Sequence, residues 1–163
     1  MVQTLVRHRA IIAGVFAAGL LAACATPVAP PPVVKAPPTC QAATSGDTLG
    51  GNWLSVRKQK GVAGELRTLF TLHPDGTMAY SEQLKRGKNP SQGLSETGCW
   101  KRDAKILTLQ TLQSNGAPVD REDPIYTNRY TIVSATHNSL GLRDDEGTVI
   151  KARRMSPGYR LPF

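Results

Sequence analysis

LSETGCWKRDAKILTLQTL, residues 94–112, decides the fold. Residues 94–101 read as a strand, Arg102–Lys105 as a tight turn, and ILTLQTL at 106–112 as the next strand. Two strands joined by a four-residue turn make a hairpin, and the same pattern repeats on both sides. Upstream lie GNWLSV at 51–56, GELRTLFTL at 64–72 and TMAYSEQL at 77–84. HPDG at 73–76 separates the last two with the residues a turn demands. Leu66, Phe70 and Leu72 share one face, as do Met78, Tyr80 and Leu84. KRGKNPSQG at 85–93 forms a loop. Downstream, residues 113–124 read as a longer polar loop. IYTNRYTIV at 125–133 follows, with Tyr126, Tyr130 and Ile132 on one face, then SLGLR at 139–143 and TVIKARRM at 148–155. The expected class is all-β: an eight-stranded antiparallel up-and-down barrel. Hairpin-length connections lead to that closure, and closure removes unprotected edges.

Read together, Gly51-Asn52-Trp53, the PDG turn, SETGCWKRDAKILTL and Arg153 or Arg154 resemble the lipocalin-like, or calycin, families. The resemblance spans roughly residues 49–155. It implies a barrel opened by a GxW motif, whose Trp53 is covered by Arg153 or Arg154 from the last strand. A cation–π contact would explain that pairing.

The N-terminus belongs to another class of signal. Arg7, His8 and Arg9 precede twelve apolar residues, AIIAGVFAAGLL at 10–21. That run is too short for a stable membrane span of about 20 residues and fits a secretory core. Leu21-Ala22-Ala23-Cys24 resembles the bacterial lipoprotein signal, the lipobox. The resemblance implies cleavage before Cys24 and acylation (palmitate or similar chains) of that cysteine. Two or three chains anchor stably, since each buried CH₂ contributes about 0.8 kcal/mol. Ala25 is not an acidic retention residue of the enteric type, which favours the outer membrane, facing the periplasm. Six of the fourteen residues at 25–38 are proline, an extended stalk that cannot build a core. The expected organisation is a signal peptide over 1–23, a lipid-anchored Pro-rich linker over 24–39 and the barrel domain over 40–163.

With Cys24 lipidated, Cys40 and Cys99 remain. An even pair in an exported chain reads as a disulfide stapling the stalk's root to the barrel. A reactive thiol pair is the alternative, although the spacing is not CxxC. The net charge is +8, and +6 once Arg7 and Arg9 leave with the signal. Either this charge keeps a small domain soluble or it meets an acidic partner. In an envelope, Lys85, Arg86 and Lys88, or Arg153, Arg154 and Arg160, would face lipid head groups or an acidic protein rather than nucleic acid.

No motif for an enzyme, cofactor or metal is present. His73 and His137 are isolated, with no second ligand at metal-binding spacing. Asp120, Glu122 and Asp123, and Asp144, Asp145 and Glu146, read as solvated turn residues. A carboxylate pair converging in a cleft would point to catalysis instead. The barrel's inward positions include Trp53, Leu107, Leu109 and Ile132. Phe70, Met78, Tyr80, Trp100, Tyr126 and Tyr130 are the candidates to line a pocket. Either such residues fill the interior or they leave room for one apolar molecule. The leading expectation is a membrane-anchored, non-catalytic barrel that binds an apolar or amphipathic small molecule. The alternative is a protein-interaction module, such as an inhibitor of an envelope hydrolase or an accessory subunit of an envelope complex. The tail SPGYRLPF at 156–163 either packs along the barrel or docks a partner.

Overall fold

The computed structural model describes residues 39–58, 60–87 and 92–162. The expected signal peptide, Cys24, the Pro-rich stretch through Pro38, Lys88 and Phe163 lie outside the described residues.

Eight strands form the barrel: β1 (Gly51–Arg57), β2 (Glu65–Leu72), β3 (Thr77–Lys85), β4 (Gln92–Asp103), β5 (Ile106–Ser114), β7 (Thr127–Ala135), β8 (Ser139–Arg143) and β9 (Val149–Met155). A two-residue strand, β6 (Ala117–Pro118), pairs with β5 alone. Each barrel strand lies antiparallel to its neighbours in sequence, β4 pairs β5, and β1 pairs β9, so the sheet closes on itself. This is the up-and-down topology of the hairpin pattern. Period-two patterning fixes the register. Trp53 sits opposite Phe70, and Phe70 opposite Tyr80, all pointing inward. Phe70 meets the rings of Tyr80 and Tyr130 edge-on at 5.3 and 6.0 Å. That geometry suits the quadrupoles of aromatic rings.

The structure redraws residues 113–126. Instead of a long loop, β5 continues to Ser114 and turns at Asn115-Gly116, with φ of 48° and 82°. Two consecutive positive φ values are what a tight hairpin turn requires, and Asn-Gly tolerates them. The next strand begins at Thr127 rather than Ile125. The Asp123 side chain accepts from the Ile125 amide, and Pro124 opens a single 3₁₀ turn, η1 (Pro124–Tyr126). Tyr126 therefore belongs to that turn, half-buried, and is not part of the barrel's apolar core.

The C-terminal tail lies on the outside. Leu161 is buried with Leu54 of β1 and Leu69 of β2, flanked by Met155 and Tyr159. The Asn52 amide donates to the Ser156 carbonyl at 2.8 Å, and Gln83 of β3 donates to the Pro162 carbonyl. Leu54 and Leu69 sit on the strands' outward phase, so the tail covers apolar surface that would otherwise face water.

Candidate functional site

The barrel has two unlike ends. At the first, β1 starts, β9 finishes and the chain enters. Residues 39–50 strap across this end. Cys40 and Cys99 are bonded, with their Cα atoms 5.3 Å apart. The Ala43 amide donates to the Pro74 carbonyl at 2.9 Å, and Asp47 pairs with Arg102 at 3.2 Å. Leu49 is fully buried, and its carbonyl accepts the Trp53 indole N–H at 2.7 Å. Arg154 lies over the Trp53 ring, 4.1 Å from its centroid. Its Nη1 and Nη2 donate to the Gly50 and Thr48 carbonyls at 2.7 and 2.8 Å, and its Nε to that of His137. The choice between the two arginines falls to phase: Arg154 opposes Trp53, whereas Arg153 opposes Leu54 and is exposed. Gly51 has φ 127°, and a Cβ there would lie 2.4 Å from Arg154 Nη1. The glycine of GNW thus makes room for the guanidinium.

Between the ends the interior is packed. Phe70, Met78 and Trp100 are 1%, 3% and 2% exposed, in one cluster with Trp53, Leu107, Leu109 and Tyr130. These side chains occupy the space that an apolar ligand would need. Trp100 is fixed by its indole N–H, which donates to the His73 carbonyl at 2.7 Å. Both histidines of the domain thus serve through main-chain oxygens. Among the described residues, no three His, Cys, Asp or Glu side chains gather as a metal site.

The opposite end, the mouth, is polar inside. On β3 the inward phase reads Met78, Tyr80, Glu82; on β4 it reads Trp100, Gly98, Glu96. Tyr80 Oη donates to Glu82 Oε2 at 2.7 Å, and Thr68 Oγ1 donates to the same oxygen at 3.3 Å. Thr111 Oγ1 donates to Glu96 Oε2 at 3.2 Å. Burial raises the Glu96 carboxyl above its usual value, two hydroxyl hydrogen bonds oppose that, and the Glu82 charge adds to the rise. Burial, helped by the charges of Asp144 and Glu82, pushes Tyr130 up to about 12. Burial and the Glu82 charge likewise raise Tyr80. Among the described residues, the buried Arg57 Nε at this end has no hydrogen-bond partner.

A carboxylate pair does converge here, on residues the strand pattern placed inward but sequence reasoning passed over. Period-two phase was the available signal. The acidic turn residues stay on the rim. Both glutamates already accept from hydroxyls, so the pair knits the polar layer together.

The concave surfaces lie outside. A groove of about 710 Å³ runs between the tail and the outer faces of β1–β4, past Thr71, Ala79, Ser81, Tyr159 and Arg160. Another, of about 420 Å³, flanks the disulfide, beside Gln41, Lys101, Arg121 and Arg129. Neither is lined by Glu82 or Glu96.

No family model matches the chain. No curated protein matches it either. Among solved structures, the Cpx pathway activator NlpE from Escherichia coli aligns with a TM-score of 0.41 at 18% identity. The alignment covers 69% of this chain and 49% of that one, so this chain spans about half of its length.

Proposed function

We propose that this chain is a lipid-tethered protein-interaction module of a bacterial cell envelope, acting through its outer surfaces. The packed interior carries this reading. Phe70, Met78 and Trp100 fill the barrel where the small-molecule reading needed a cavity, while the concave surfaces are outside. Filled small barrels serve as rigid scaffolds, and function then resides in loops and faces. The Cys40–Cys99 bond fits an oxidising, exported compartment. The lipobox supplies the anchor at Cys24, and Ala25 favours the outer membrane.

Crosslinking of the full chain in intact cells, followed by mass spectrometry, tests the function. The expected result is a discrete protein adduct at surface positions such as Tyr159 or Arg129. A stoichiometric small molecule released from the native protein on denaturation would overturn it. For the anchor, Cys24→Ala is expected to move the protein from the membrane fraction to the soluble one. Unchanged fractionation would refute lipidation at that residue.

A further inference from the structure

The four hairpins at the mouth divide its rim by charge. Going round the barrel, the β1–β2 and β3–β4 connections are neighbours, and so are the β5–β7 and β8–β9 connections. The first two carry Lys58, Lys60, Lys85 and Arg86, all exposed, with no carboxylate among the described residues between 57 and 64 or at 85–87. The second two carry Asp120, Glu122, Asp123, Asp144, Asp145 and Glu146, against Arg121 and Arg143. Ion pairing does not quench this separation. Among the described residues, the two ion pairs are Arg67–Glu65 and Arg102–Asp47, and neither uses a rim carboxylate from the acidic half.

Turn chemistry accounts for half of the acidic set. Asp120 accepts from the Glu122 amide, Asp123 from the Ile125 amide and Asp144 from the Thr148 amide. Glu122, Asp145 and Glu146 make no such bond and are exposed. The acidic half also bares apolar surface: Ile125 is 68% exposed and Val149 is 45% exposed.

We propose that the mouth is a self-docking surface, on which a second copy of this chain sits mouth to mouth. A two-fold axis along the boundary between the halves sets the basic half of each rim against the acidic half of the other. Such an isologous contact is self-complementary in charge. It brings Ile125 and Val149 of each copy against the stems of the partner's lysines, which can cover apolar surface. The chain enters the barrel at the opposite end, so the strap and the disulfide leave the mouth free. The contact is confined to hairpin connections and is dominated by exposed charge, so the association is weak and salt-sensitive. It stands independently of the tether and of the envelope reading.

Sedimentation of the full chain in mild detergent tests it. The expected result is reversible dimerisation in about 50 mM salt, weakened at least about tenfold in about 500 mM salt, where the Debye length is short. Two charge-reversal variants sharpen the test. One is Lys58→Glu with Lys60→Glu and Arg86→Glu. The other is Glu122→Lys with Asp145→Lys and Glu146→Lys, which spares the three turn-capping aspartates. Each variant alone is expected to be monomeric, and the two mixed in equal amounts are expected to dimerise. Because only folded mouths can restore pairing, recovery in the mixture separates docking from misfolding. A monomeric wild-type chain at low salt would overturn the proposal. So would variants that each dimerise as the wild type does, which would place the contact on another face, or a mixture of two folded variants that stays monomeric.

Discussion

The sealed end and the mouth solve the same problem, burying polar groups, with opposite materials. Around the plug at the sealed end the acceptors are backbone carbonyls, at Thr48, Leu49, Gly50, His73 and His137, while Asp47 holds the strap to Arg102. The donors are two indoles and one guanidinium. At the mouth the acceptors are the Glu82 and Glu96 carboxylates, and the donors are hydroxyls. Carbonyls cannot titrate and are fixed by the fold, so the contacts of Trp53, Trp100 and Arg154 do not depend on a titrating acceptor. The Glu96 carboxyl titrates, and its half-buried site costs solvation. One end ties its indoles and guanidinium to acceptors of fixed charge. The other carries a carboxyl, Glu96, whose charge responds to pH.

If that contrast holds, Trp53→Ala should have the largest effect, about 3–5 kcal/mol in urea denaturation, by cavity and lost hydrogen bond. A loss below about 1 kcal/mol would mean that the plug is not what holds this end. Removing the staple with Cys40→Ser and Cys99→Ser should cost about 2–4 kcal/mol, and reduction of the wild type should reproduce it. Arg154→Lys keeps the charge but cannot span three carbonyls, so about 1–3 kcal/mol is expected. The matched change Arg153→Lys on the exposed phase should stay within about 0.5 kcal/mol. Equal effects from the two would erase the distinction between capping and surface arginines.

The smallest effect belongs to the mouth and has the opposite sign. With its folded pKa raised, Glu96 holds its proton to a higher pH in the barrel than in the unfolded chain. Its contribution is therefore full below the unfolded pKa and is lost as pH rises through the folded value. Glu96→Gln should raise stability slightly at neutral pH and flatten the profile on the acid side of neutrality. A destabilising Gln at pH 7 would show that the charged form is the favoured one.

The sealed end was legible in the sequence because its parts are local or paired by motif. GNW and the tandem arginines announce it, and only strand phase was needed to choose Arg154. The mouth was harder to read because carboxylates are usually solvated, so Glu82 and Glu96 were passed over despite lying in phase with Tyr80 and Trp100. Tyr126 misled because its alternation with Tyr130 looks strand-like, while Asp123 and Pro124 start a 3₁₀ turn. The outer cluster was least legible of all. Leu54 and Leu69 find cover in Leu161, far away along the chain, and no local pattern encodes a tail crossing a barrel.

The strap at the sealed end also sets how the molecule would bear a mechanical pull. Tension applied upstream of Thr39 enters the fold through the sulfur bridge to Cys99, on a strand paired along both edges. The pull bypasses β1, which a direct connection would unzip from β9 one hydrogen bond at a time. With the bridge intact, force is shared across the β3–β4 and β4–β5 ladders, and their bonds must yield together. With the bridge cut, the same tension falls on Ala43, Asp47 and Leu49 in succession, and the plug over Trp53 is the first element to be drawn out.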